Sequence, residues 1–349
     1  MKEIKLKELG SEHGFMGDVI RAELKGDNLL LKSVVIKIPK KENRGFGELL
    51  GVYEREIMFY REFGMSKSLQ VPKSYYSEFD RDKGSENQAK IIALLNRLPL
   101  FMVRWVNSVS TKIAASKSRR YILVIEDLSF MKPGDQVAGL GLEGCNQVLT
   151  GIAKMHRHYW KNKALTKHFW LLKLDIDHRL RFTVFSDHVE EFRKTITKSL
   201  WPHLDALKSC GPNFIKDFFA SAPPTLIHCD LRLDNVLFDG NSCTYIDWQL
   251  VRSGPAAYDV AYFISSALKT EATKEEIDLI LGVYHRALNV DDYTYEELQA
   301  DYARGLRMVL LNLTHTGGVE LGDNRGKKMM DIWLERLSIR LEQAYQDIS

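Results

Sequence analysis

Residues 226 to 248, LIHCDLRLDNVLFDGNSCTYIDW, place polar side chains at short intervals between apolar runs. His228, Asp230, Arg232, Asp234 and Asn235 share one tight stretch, and Asp247 ends a pair of β-rich runs that flank the turn Asp239-Gly240-Asn241-Ser242. Folding that hairpin back brings Asp247 beside Asn235. One carboxylate and one amide oxygen suit Mg²⁺, which prefers hard oxygen ligands and keeps several waters, with phosphate oxygens completing its shell. Asp230, five residues before Asn235, is then free to accept a proton from an incoming hydroxyl. Neutralising and positioning a nucleotide while supplying a base for the nucleophile is the division of labour that phosphoryl transfer requires.

Such a loop needs elements to hold it. Residues 18 to 24 and 33 to 38 alternate as strands, with Pro39 closing the second. Between residues 48 and 63 the apolar period becomes helical, and Gly64 stops it. Residues 73 to 80 and 121 to 126 read as further strands. After Asp127 the pattern is mainly helical, at 142 to 160, 187 to 200, 256 to 268, 274 to 288, 295 to 313 and 327 to 345. The expected architecture is α+β: an antiparallel β-rich N-terminal lobe, 1 to 127, and a larger helical C-terminal lobe, 128 to 349.

Two charges fall on apolar surfaces. Lys37 closes the strand VVIK, and Glu56 sits on the apolar stripe of the 48 to 63 helix, so each needs an opposite charge. They answer one another, with Glu54 as the alternative partner. Gly10, Gly14 and Gly17 precede the second strand, where backbone N–H groups could approach phosphate oxygens; glycines also mark plain hairpins.

The pattern His228-x-Asp230-x-x-x-x-Asn235 followed by Ile246-Asp247-Trp248 resembles the catalytic loop and metal-binding motif of the aminoglycoside phosphotransferase and choline kinase-like group of the protein-kinase-like fold. Asp247-Trp248-Gln249 with residues 254 to 263, GPAAYDVAYF, resembles its ecdysteroid-kinase-like (CHK-kinase-like) branch. The likeness continues through residues 53 to 60, 125 to 128 and 134 to 136. It implies a bilobal fold and an ATP-dependent, Mg²⁺-dependent small-molecule kinase acting on a hydroxyl acceptor. It implies that Glu56 orients Lys37 toward the α and β phosphates, that the Glu126 carbonyl and Leu128 amide meet adenine, and that Gly14 and Gly17 belong to the phosphate loop. Arg232 stands where protein kinases carry a lysine reaching the γ-phosphate; an outward structural arginine is the other reading. His228 reads as a packed loop residue and Asp259 as a holder of the loop's backbone. Cys229 replaces the glycine usual in this family.

Other chemistries find no footing. There is no G-x-S-x-G, HExxH or Walker motif, and His156 and His158, two residues apart on a helix, face different ways. Phosphorylation of proteins is disfavoured without HRD, DFG or APE segments. A catalytically inactive nucleotide-binding scaffold is the alternative from another class, and retention of Lys37, Asp230, Asn235 and Asp247 argues against it. Forty-nine Lys plus Arg against 46 Asp plus Glu leave +3, too little to imply a nucleic-acid partner. Four cysteines, Cys145, Cys210, Cys229 and Cys243, form no CxxC pair, and MKEIKLKELG has no apolar signal core, so a cytoplasmic protein is expected.

Residues 85 to 120 form an insertion between two strands of the small lobe. Its stretch 91 to 106 is apolar but broken by Arg97, Pro99 and Arg104, too short and charged for a membrane span. Lys90, Arg97, Arg104, Lys112, Lys117, Arg119 and Arg120 face Glu86 alone, a pattern compatible with peripheral contact to an anionic membrane through 88 to 118. Packing on the lobe, a lid or a dimer contact are the alternatives.

Overall fold

The structure of the chain, a computed structural model, describes residues 3–9, 17–27, 29–40, 44–80, 88–103, 119–315 and 324–346, with the backbone alone at 45, 46, 49, 88, 89 and 91. Strands β1 (Glu3–Leu9), β2 (Gly17–Lys25), β3 (Ser33–Pro39), β4 (Ser74–Phe79) and β5 (Tyr121–Glu126) make one antiparallel sheet in the order β1-β2-β3-β5-β4. Lys37 pairs across to Val19 on β2 and to Leu123 on β5, which sets it inside the sheet. On β5 the side chains Tyr121, Leu123 and Ile125 are buried while those between are half-buried, the period-2 signature of a sheet covered on one face.

The cover is helical. The pattern from 48 to 63 predicts one helix, but two form, α1 (Arg44–Leu50) and α2 (Val52–Glu62). Gly51 between them has φ 67°, a left-handed turn that glycine adopts without a Cβ clash and that interrupts the helix. α2 buries Val52, Ile57, Phe59 and Tyr60, and Glu56 with them. In the insertion, α3 (Gln88–Leu95) is followed by Asn96, whose amide donates to the Ile176 carbonyl at 2.5 Å in the helical lobe, and Val103 is fully buried.

Beyond Asp127, β6 (Lys132–Pro133), β8 (Val236–Asp239) and β9 (Ser242–Tyr245) form a small sheet, and β7 (Pro224–Ile227) pairs with β10 (Arg252–Pro255). The helices are α4 (Leu142–His158), α5 (His178–Thr195), α6 (Trp201–Cys210), α7 (Asn213–Ala220), α8 (Ala257–Ala267), α9 (Lys274–Leu288), α10 (Tyr295–Leu313) and α11 (Asn324–Tyr345). α9 and α10 have the expected limits because each starts on a Thr-x-x-Glu capping box, at Thr273 and Thr294. The helix expected at 187 to 200 starts earlier, at His178, and ends at Thr195; α6 and α7 fill a stretch that the periodicity leaves unassigned.

α8 is the core of the helical lobe. Every residue of it is buried except Tyr262, as suits a helix that is apolar nearly all round. It crosses α10 at Gly305, where an added Cβ would lie 2.8 Å from the Ala261 Cβ and 3.1 Å from the Ala257 carbonyl oxygen. Arg336 on α11 donates to the carbonyls of Ser266 and Gln136 at 2.6 and 2.8 Å, tying the end of α8 to the segment after β6.

Replacing Gly305 by valine should therefore push α10 off α8. The expected loss is about 1–3 kcal/mol, the usual cost of overpacking, read as a lower urea midpoint with an unchanged slope. A midpoint within error of wild type would show that the crossing has room to spare.

Candidate functional site

Three separate parts of the chain meet at one ammonium. Lys37 Nζ on β3 lies 2.5 Å from Glu56 Oε1 on α2 and 3.1 Å from Asp247 Oδ1 after β9. Burial disfavours the charged lysine, but the Asp247 and Glu56 carboxylates outweigh it and hold its pKa above the ordinary value. Asp247 is half-buried, and although desolvation works against its charge, Lys37 and then Arg232 draw its pKa below the usual carboxylate range. The alternative partner, Glu54, is taken by Arg119, whose guanidinium lies 3.3 Å away. α2 is docked against the segment after Asp247 by Phe59, stacked on Trp248 with centroids 4.1 Å apart, and by Arg55, which donates to the Gln249 carbonyl at 3.2 Å.

The loop after β7 is held from beneath by Asp259 on α8. This fully buried carboxylate accepts from the His228 N–H at 2.7 Å and the Cys229 N–H at 2.9 Å. His156 on α4 lies 3.2 Å from the same carboxylate, and its other ring nitrogen is 2.7 Å from the Tyr284 hydroxyl. Cys229 has φ 66°, the left-handed conformation in which a glycine is at ease, so the loop keeps a glycine-like turn at a cysteine. Asp247 also has φ 66°. His228 is buried and packed, its Nε2 3.0 Å from the Ile246 carbonyl.

Asp230 and Asn235 touch. The Asn235 amide donates to both the carbonyl and Oδ2 of Asp230, each at 2.9 Å, while the Tyr262 hydroxyl donates to Oδ1 at 2.7 Å. Arg232 sits 3.6 Å from Asp230 Oδ2 and lines, with Lys37, Glu56, Asp247, Gly17 and Leu123, one cleft between the sheet and the helical lobe. Asp230 raises its already high pKa, so the guanidinium stays charged. Asp247 and Asn235 offer only hard oxygen donors for a cation, few enough that Mg²⁺ would keep waters and phosphate oxygens, so the residues present fit that ion. Among the described residues no cluster of three or more His, Cys, Asp or Glu could hold a metal by itself.

Gly17 lies on the cleft wall within 3.0 Å, for an added Cβ, of the Ile38 carbonyl; Gly10 and Gly14 lie outside the described residues. Residues 126 to 128 stand at the lobe junction, where Asp127 accepts from Arg21 of β2 at 2.6 Å. Several participants escape sequence reasoning. Tyr262 reads as one more core aromatic. Asp234 is held by the Arg325 guanidinium at 3.1 and 3.3 Å, and Gln136 accepts from the Leu233 N–H at 2.7 Å; nothing local marks either contact. Below the loop Asp177 pairs with Arg181 and Arg252, each at 2.9 Å.

Compared with known proteins, the chain matches the model of the ecdysteroid kinase-like family over residues 11–294. Among solved structures it is similar to a choline kinase from Cryptosporidium parvum Iowa II, at 13% identity and a TM-score of 0.57 over 99% of this chain and 90% of that one. A Plasmodium vivax ethanolamine kinase gives 13% and 0.55 over 99% and 82%. The GDP complex of aminoglycoside 2'-phosphotransferase-IIIa gives 13% and 0.53 over 97% and 94%. At such identities the likeness is one of fold: the bilobal protein-kinase-like architecture.

The Asp177 cluster makes a pH prediction. Burial works against the Asp177 carboxylate, but Arg181 and Arg252 outweigh it and depress its pKa in the folded chain. Its contribution is present above the unfolded carboxyl pKa of about 3.9 and is lost as pH falls toward the folded value. Wild type should exceed Asp177→Asn in stability at pH 7, and the gap should shrink on titration to pH 3 in urea melts. A gap independent of pH would show that the ion pairs do not carry the difference.

Proposed function

The chain belongs to the ecdysteroid kinase-like family, and we propose that it is an ATP-dependent kinase that transfers the γ-phosphoryl group to a hydroxyl of a small organic acceptor. The observation that carries this is the convergence of Lys37, Arg232 and Asp247 on one cleft beside Asp230. In this reading residues 1 to 127 form the nucleotide lobe and 128 to 349 the acceptor lobe. Adenine meets the backbone of Glu126 and Leu128, and the phosphates lie along Gly14, Gly17 and Lys37. Asp247 and Asn235 hold Mg²⁺, which when bound would neutralise phosphate charge.

Asp230 accepts the acceptor's hydroxyl proton while the acceptor's own oxygen bonds to the γ-phosphorus and the bond from that phosphorus to the β–γ bridging oxygen breaks, releasing ADP. Lys37 and Arg232 supply fixed positive charge to the nucleotide and to the transferring group. Nothing in the reaction requires Glu56 to touch substrate; it holds Lys37.

The carboxylates around the loop favour an uncharged acceptor. Asp234 is neutralised by Arg325, Asp177 by Arg181 and Arg252, and Asp247 by Lys37. A cationic acceptor would meet these three carboxylates already paired, whereas a neutral alcohol asks for no free carboxylate besides Asp230.

A panel of neutral and cationic alcohols incubated with γ-labelled ATP, with the labelled product identified, tests the reading. Transfer to a neutral alcohol is expected. Asp230→Asn should cut turnover about 100-fold or more with nucleotide affinity retained, and Asp247→Ala should weaken Mg·ATP binding by calorimetry. Full turnover in Asp230→Asn, or normal Mg·ATP affinity in Asp247→Ala, would undo the role assignment.

A further inference from the structure

One side chain on α8 is out of keeping with its neighbours. All other residues from Ala257 to Ala267 are buried, while Tyr262 is partly exposed and sends its hydroxyl to Asp230 Oδ1 at 2.7 Å. Its ring is fixed: Trp333 of α11 meets it edge-on with centroids 5.0 Å apart, and Tyr258 lies 5.9 Å away on its own helix. Burial, and then the Asp230 charge, push the phenol pKa well above the ordinary value, so the hydroxyl remains a donor.

The register adds a reason. Asp259 and Tyr262 are three residues apart and so share a face of α8. Asp259 takes the backbone N–H groups of His228 and Cys229, and Tyr262 takes the side chain of the residue that follows. The Asn235 amide holds the other oxygen of that carboxylate at 2.9 Å. A carboxylate with one donor can swing about its Cβ–Cγ bond. With a donor on each oxygen its plane is set, and each oxygen keeps a second lone-pair site for a proton.

We propose that Tyr262 is a positioning residue for catalysis, holding the Asp230 carboxylate in the plane from which it takes the acceptor's proton. The inference rests on the reading of Asp230 as base. It divides the work of one helix face: Asp259 shapes the loop, and Tyr262 aims the reactive group.

The test is a pair of double-mutant cycles on the full chain with Tyr262→Phe, which keeps the ring, and Asp230→Ala. In the first, urea unfolding without nucleotide reads the contact itself. Tyr262→Phe should raise the unfolding constant several-fold when Asp230 is present and have little effect, or the opposite one, in the Asp230→Ala background. In the second, phosphate release from Mg·ATP with water as acceptor reads the role. Tyr262→Phe should lower kcat about tenfold or more with the nucleotide KM within twofold, and should cost nothing further once Asp230 is alanine. Equal losses in both backgrounds, or wild-type kcat in Tyr262→Phe while Asp230→Ala is inactive, would overturn the inference and leave the base reading standing. Wild-type turnover in Asp230→Ala would instead bring down the base reading, and the catalytic role of Tyr262 with it.

Discussion

A half-buried ammonium set between two carboxylates joins separate parts of this chain at its cleft. Lys37 comes from the sheet, Glu56 from α2 and Asp247 from the segment after β9, so satisfying one charge brings three distant parts of the chain to a point. Burial makes the arrangement stringent: removing either carboxylate leaves the lysine under-compensated, and removing the lysine leaves two like charges facing each other. α2 makes further contacts to the same segment. Its tilt is set by the Phe59–Trp248 stack and by Arg55 on the Gln249 carbonyl, so the helix that carries Glu56 also braces the backbone that carries Asp247.

The reacting side depends on the opposite device, a carboxylate that gathers backbone donors. Cys229 in a left-handed turn costs roughly 1–2 kcal/mol relative to glycine. Two N–H bonds to the buried Asp259 hold it there. A loop shape that suits glycine is thus kept with a side chain present, because the turn is imposed from α8 and not only by local freedom. Behind Asp259, His156 and Tyr284 continue the network into α4 and α9, which spreads the constraint over the core of the helical lobe.

What could be read from the chain divides along the same line. Lys37, Glu56, Asp230, Asn235 and Asp247 were legible because charged or amide residues on apolar patterns demand partners, and because their types and order suit one chemistry. Helices α9 and α10 were legible because their capping boxes are local. Tyr262, Gln136, Arg325 and His156 were not: their partners are 32, 97, 91 and 103 residues away or nearer in space than in sequence, and an aromatic in an apolar helix looks like core whatever its hydroxyl touches. The break at Gly51 escaped for a different reason, since one glycine inside a helical period is as compatible with a tolerated defect as with a left-handed turn.

The insertion is tied to the site by charge. Glu48, Glu54 and Glu56 on α1 and α2 are all buried, and three buried carboxylates cannot share one lysine. Arg119, at the end of the insertion, lies beside Glu48 and Glu54, with its own N–H donating to Glu48 at 2.9 Å, while Arg120 turns outward to Asp80. Arg119 is therefore spent on the small lobe, whereas Arg120 pairs with Asp80 and stays exposed. On a helix, residues 54 and 56 lie about 200° apart, so Arg119 and Lys37 approach α2 from different sides and each finds its own glutamate. The pairing of Lys37 with Glu56 is in this sense a partition of charge: Arg119 removes the competitor, and the lysine is left free to reach across the cleft to Asp247.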